Sequence, residues 1–198
     1  MPLGKPGESS SLILYFFRTE NGLPVNSFSE AIGELPDEIQ TVLFVDDVTL
    51  TGTQALAYIK KQMKAIGAGK TPVLLTLFST NDAVTLLEND GMKVVSCVNL
   101  DDRSRCFSPN SSVFHHFPKH MEPCLQFSEQ YGKTLWPDHP LGYMKGGYLF
   151  GFFYNTPDNT LPIFWSTGAG WQPVMTRYSK QYGAKFRGPL AYDLGQFI

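Results

Sequence analysis

Apolar and polar positions divide the chain into a patterned middle and two less regular flanks. TVLFVDD (41–47) is a β-rich apolar run, long enough for a strand buried on both faces. In TQALAYIKKQMKAIGAG (53–69), Ala55, Ile59, Met63 and Ile66 recur at three- and four-residue spacing. Lys60, Lys61 and Lys64 lie opposite, so the stretch predicts an amphipathic helix closed by Gly67 and Gly69. PVLLTLFS (72–79) predicts the next strand. NDAVTLLENDG (81–91) predicts a short helix with Asn81 as N-cap and Gly91 at its end, and KVVSCVNL (93–100) a third strand. The middle therefore reads β-α-β-α-β, the pattern of an α/β fold with a mostly parallel sheet and flanking helices.

The flanks carry less periodicity. Residues 103–140 are rich in Pro, Ser and His. GYLFGFFYN (147–155) and LPIFWS (161–166) predict two strands joined by the turn-prone NTPDNT, so the C-terminal part is expected to be irregular and β-containing. Phe150, Phe152, Phe153, Phe164 and Trp165 are read as core. The 198 residues suit a single domain, with a core over about 1–102 and a C-terminal extension over about 103–198.

Composition narrows the class. Hydrophobic residues make up 42% and charged residues 17%, an ordinary globular balance. A net charge of -2 argues against nucleic-acid binding by bulk electrostatics. Cys97, Cys106 and Cys124 are odd in number and form no C-x-x-C pair, which points to a reducing, cytoplasmic compartment. No apolar stretch approaches the ~20 residues of a membrane helix, and the N-terminus does not read as a signal peptide.

Candidate chemistry gathers in VLFVDDVTLTGTQ (42–54). Four apolar residues run into Asp46 and Asp47, and a threonine- and glycine-containing loop leads into the predicted helix. In open α/β sheets ligands sit beyond the carboxyl ends of the strands. A turn after the strand would let both carboxylates serve one ligand, and carboxylates suit vicinal hydroxyls. The unpaired N–H groups and dipole of a helix N-terminus favour an anion. Thr49, Leu50, Thr51, Gly52 and Thr53 form that entrance. A ligand that satisfies both halves is a ribose 5-phosphate.

This motif resembles the signature for phosphoribosyl pyrophosphate (PRPP) in type I phosphoribosyltransferases. The resemblance implies that Asp46 and Asp47 hold the ribose 2′- and 3′-hydroxyls while Thr49 to Thr53 wrap the 5′-phosphate. Leu50 departs from the pattern, standing where the loop often has Thr. The resemblance also implies a pyrophosphate loop earlier in the chain. LGKPGESSS (3–11) offers Gly4, Lys5, Gly7, Glu8 and Ser9, through backbone N–H groups and the Lys5 ammonium; the same stretch also reads as a solvated terminus. Type I enzymes carry a strand and helix before this loop, which here begins at residue 4. Two alternatives follow: a truncated open reading frame, or a strand supplied by a partner. An unpaired sheet edge would favour a homo-oligomer or protein partner.

YGKTLWPDHPLGY (131–143) and YNTPDNTLPIFW (154–165), with the two motifs above, resemble phosphoribosyltransferase-like effectors of bacterial conflict systems, some of which accompany retrons or other antiphage cassettes. Asn155, Thr156, Asp158 and Asn159 would then line the site, or form a polar turn stiffened by Pro157. The implied reaction is 5-phosphoribosyl transfer with loss of pyrophosphate through an oxocarbenium-like transition state. Asp46 and Asp47 would stabilise its charge, and Mg²⁺ would arrive on PRPP. A non-catalytic PRPP or nucleotide sensor, or a structural subunit of a complex, are the alternatives.

Three other signals are weaker. GAGKT (67–71) lacks the leading glycine of a phosphate-binding P-loop and runs helix to strand, the reverse of that motif. DDVTLTGT has Val48 and Thr49 where an aspartyl-phosphate phosphatase needs a second acid. His115, His116, His120 and Glu122 are interrupted by Pro118 and read as surface or packing residues, with no protein-held metal expected.

Overall fold

A computed structural model describes residues 1–4, 7–28, 33, 35–67, 69–168, 170–175 and 177. The chain divides into two compact units, Met1–Asp101 and Asp102–Ile198.

The first unit is a parallel sheet with helices. After α1 (Ser9–Glu20) come β1 (Thr41–Thr49), α2 (Thr53–Ile66), β2 (Thr71–Thr80), α3 (Asn81–Asn89) and β3 (Lys93–Leu100). The strands lie in the order β1-β2-β3, all parallel, with Phe44 opposite Leu74 and Leu74 opposite Val94. Phe44, Leu74, Ile59, Ile66 and Leu87 are fully buried, and together with Val42, Ala55 and Met92 they form the core. Each such large side chain contributes about 1.5–3 kcal/mol on burial. β1 is less enclosed than a strand buried on both faces: Thr41 and Leu43 are exposed, and continuous burial is confined to Phe44–Asp47. α1 packs against β1, outside this core cluster.

Residues 1–3 run along β1 through an isolated bridge and form no strand of the sheet. Pro2 bridges Val45 in parallel. The Val45 N–H donates to the Met1 carbonyl at 2.8 Å, and the Leu3 N–H donates to the Val45 carbonyl at 2.9 Å. α1 begins at Ser9, a helix the sequence pattern did not reveal.

The second unit contains α4 (Met121–Leu135) and the short α5 (Pro162–Trp165). Instead of the two predicted strands, residues 147–161 hold only isolated bridges, Arg105 with Tyr148 and Tyr148 with Thr160, and α5 follows. Pro162 decides the second segment: it lacks an N–H and has a fixed φ, which suits the first helical position. The core reading of Phe153 also fails, since it is 94% exposed in that irregular stretch. α4 was hidden because its fully covered face is made of Ser128 and Gly132. Among the described residues, no helix is long and apolar enough to cross a membrane.

Candidate functional site

β1 continues two residues beyond the predicted strand, to Thr49, so the aspartates lie inside it and the turn comes only after Thr49. Asp46 is 9% and Asp47 6% exposed. Asp46 sits in register with Thr76 of β2, and the Val48 N–H donates to Asp47 Oδ1 at 2.9 Å. The two carboxyl groups still act on each other, through charge and hydrogen bonding. Burial raises the Asp46 carboxyl well above the usual carboxylate range; the neighbouring Asp47 and the charge of Glu8 push the same way, against one backbone hydrogen bond from Asp47.

This shift has a stability consequence. A carboxyl whose folded pKa is raised contributes stability that is fully present below its unfolded pKa, about 3.9, and is lost as pH rises through the folded value. Asp46→Asn removes that titration. The variant should therefore gain stability relative to the native chain as pH increases from 4 to 8. Urea melts across that range would read the difference, and a difference that stays flat with pH would contradict the assignment.

The loop after β1 is locked by a residue not anticipated from the sequence. Thr80 Oγ1 donates to the Leu50 carbonyl at 2.7 Å and accepts from the Ala83 N–H at 3.1 Å. Thr80, and not Asn81, is thus the N-cap of α3, and the same hydroxyl ties α3 to the β1–α2 loop. The Leu50 side chain is buried, so the residue that departs from the threonine pattern acts as an anchor. Gly52 has φ +74°, and a Cβ there would lie 3.2 Å from both Cα and O of Ala83. The chain then enters α2, whose first turn holds no acidic residue. Thr51 and Thr53 hydroxyls pair at 2.9 Å. Thr49 Oγ1 is buried with no hydrogen-bond partner. Thr80→Val should cost about 1–3 kcal/mol, because it orphans a buried carbonyl and removes a helix cap. Faster amide exchange at Ala83 would accompany the lower melting temperature; protection left unchanged would refute the lock.

The earlier glycine loop lies beside this site. Gly4 and Gly7 have φ +128° and +87°. The Tyr58 hydroxyl of α2 donates to the Gly4 carbonyl at 3.1 Å. Glu8 is the N-cap of α1, but its carboxyl makes no capping bond. It folds back over Gly4 instead, with Cδ 3.3 Å from where a Gly4 Cβ would stand and Oε2 closer still. Ser9 opens the helix, and the hydroxyls of Ser10 and Ser11 are buried without partners. The run of three serines was the available signal for these two residues. Lys5 falls outside the described residues.

The other nominated residues are occupied within the second unit. Arg177 donates to the Thr156 carbonyl, pairs with Asp158 Oδ2 at 3.2 Å and lies 4.8 Å over the Trp165 ring. Asn159 Nδ2 donates to the Tyr143 carbonyl at 3.1 Å, and the Asn155 and Phe152 backbones pair with each other. His115 and His116 meet edge to face at 4.9 Å, while Glu122 accepts from Gln126 at 2.9 Å.

A parallel sheet with a glycine-turned, threonine-lined helix entrance after an acidic strand is the architecture of a phosphoribosyltransferase-type protein. The family model that matches is PRTase-CE, over residues 1–177, and the chain belongs to that family. No curated protein and no solved structure matches it.

Proposed function

We propose that the first unit binds the ribose 5-phosphate moiety of PRPP or of a nucleotide and, given an acceptor, transfers the 5-phosphoribosyl group with release of pyrophosphate. The carrying observation is the buried Asp46–Asp47 pair, set on β1 immediately before the Gly52-turned entrance to α2. A diol both donates and accepts hydrogen bonds. A pair in which Asp46 favours its protonated form and Asp47 already accepts a backbone N–H can match it from both sides. The 5′-phosphate fits against the N–H groups of α2 and the hydroxyls of Thr49, Thr51 and Thr53.

In the transfer, the bond from C1′ to the pyrophosphate oxygen breaks and pyrophosphate leaves with the electron pair. The acceptor then bonds to C1′. Asp47 stabilises the positive charge that grows on the ribose, since a fixed carboxylate needs no reorganisation as the charge appears, while Asp46 holds the diol. Mg²⁺ would be carried by PRPP, on its pyrophosphate and ribose oxygens, since this ion usually binds substrate phosphates and keeps several waters. Among the described residues no cluster of three or more His, Cys, Asp or Glu side chains would cage the ion. When bound, Mg²⁺ neutralises charge on the departing pyrophosphate.

A cytoplasmic role in bacterial antiphage conflict goes with this reading, supported by the resemblance of residues 131–143 and 154–165 to such effectors. The test of the pocket is a thermal-shift titration with PRPP and Mg²⁺, with ribose 5-phosphate alone in parallel. Both should raise the melting temperature. A native chain that folds but responds to neither would end the ribose-phosphate reading. Release of pyrophosphate on turnover would separate an enzyme from a sensor.

A further inference from the structure

The two edges of the sheet differ. Along β1, the backbone of residues 1–3 takes up hydrogen bonds. Along the other edge, β3 pairs with β2 alone among the described residues. An edge strand offers a row of backbone N–H and C=O groups to any further strand, and proteins guard such rows with charges, prolines or bulges. β3 (KVVSCVNL) is eight residues long, has no proline and carries its one charge at the first residue, Lys93. Val95 and Val98 are each 45% exposed, and Cys97 between them is exposed too. Such an apolar edge is suited to pairing with another strand.

We infer that two copies of the chain join along β3, antiparallel about a two-fold axis beside Cys97, and merge their three-stranded sheets into one. The order of residues in the strand identifies its partner as itself. Facing residues of an antiparallel pair turn their backbone groups the same way, so a two-fold axis must fall on a residue. With the axis at Cys97, Lys93 of each protomer faces Asp101 of the other, an exposed residue directly after the strand. A carboxylate accepts several hydrogen bonds at once, so Lys93 adds to what Asp101 already holds within its own chain. Val94 then faces Leu100, which keeps apolar side chains together. Shifting the axis to Ser96 or Val98 would set Lys93 against Asn99 or Arg103 and forfeit the charge pair. Opposite charges and apolar side chains facing across strands each stabilise the pairing, and symmetry supplies every such contact twice.

Sedimentation of the full chain should show a dimer. Lys93→Asp sets an aspartate against Asp101 of the other protomer, and Asp101→Lys sets a lysine against Lys93. Each should raise the dimer dissociation constant by about tenfold, because two like-charge contacts replace two attractive ones. The double exchange Lys93→Asp/Asp101→Lys restores opposite charges and should return the constant towards its native value. Lys93→Asp alone serves should Asp101→Lys disturb the chain's own contacts. Cys97 gives an independent reading. Facing Cα atoms lie about 4.5–5.5 Å apart, a separation a disulfide can span. Copper phenanthroline in air, which takes up the two electrons, should link the native protomers through Cys97. Cys97→Ser should prevent the link and leave the dimer in place. A monomeric native chain would overturn the inference. So would a dimer that Lys93→Asp does not weaken, a double exchange without recovery, or a link that forms as readily in Cys97→Ser.

Discussion

The Asp46→Asn/Asp47→Asn double variant is expected to lose the thermal shift that PRPP and Mg²⁺ give the native chain. At a hundredfold excess over its dissociation constant, a ligand stabilises the folded state by about 2.7 kcal/mol. A hydrogen bond to a charged group is worth about 1.5–3 kcal/mol and one to a neutral group about 0.5–1.5 kcal/mol, so losing the Asp47 carboxylate and the Asp46 carboxyl removes about 2–4.5 kcal/mol. Affinity then falls by at least about thirtyfold. The same ligand concentration would stand at no more than about three times the variant's own dissociation constant, leaving a stabilisation of about 0.9 kcal/mol or less. Unfolding would not explain this loss. Asp46 is a buried carboxyl that resists ionisation, so an amide there relieves a cost at neutral pH, and the ligand-free variant should melt no lower than the native chain. A double variant that shifts as much as the native chain would place the ligand elsewhere.

Gly132→Ala should be the most damaging single substitution in the second unit. A Cβ at this position would lie 2.7 Å from the Pro140 carbonyl carbon and 2.9 Å from its Cα, with the carbonyl oxygen closer still. The obstruction is backbone, which cannot swing aside as a side chain tip can. Gly132 lies in α4, and its carbonyl also takes the Trp136 N–H at 2.7 Å, closing the helix. Moving α4 away from Pro140 would therefore disturb its own C-terminus, where Trp136 packs on His139 and Trp165 at 4.7 and 5.4 Å. Overpacking costs about 1–3 kcal/mol where side chains can adjust; a clash with backbone belongs at or above the top of that range. A lowered melting temperature and loss of near-ultraviolet aromatic signal would show it. An unchanged melt would mean that α4 and Pro140 are not packed as described.

The reason Gly132 could not be found beforehand is instructive. A helix announces itself in sequence when its buried face is a stripe of large apolar residues. α2 does so with Ala55, Ile59 and Ile66, and the predicted helix matches from Thr53 to within one turn of its end. α4 buries Ser128 and Gly132, small residues chosen by the closeness of Pro140, and exposes Phe127. Its pattern is inverted, and only the packing partner explains it. α1 was missed for a related reason: LILYFF is apolar all round its turns, with Leu12, Tyr15 and Phe16 partly exposed, so no period emerges.

Local sequence by itself determined the β-α-β-α-β order of the first unit and placed Asp46 and Asp47 before a helix entrance. Strand and helix periods are set by neighbours two to four residues apart, and those neighbours are in the string. β3 matches its predicted limits, Lys93–Leu100, for that reason. Tertiary structure alone decided what surrounds the aspartates. Glu8 reaches Asp46 because residues 1–3 pair along β1, and Thr80 locks Leu50 from thirty positions away. Gly52 is required by Ala83 as well as by its own turn. Such contacts form where the chain returns on itself, and no local period records which hydroxyl or carboxyl will meet there.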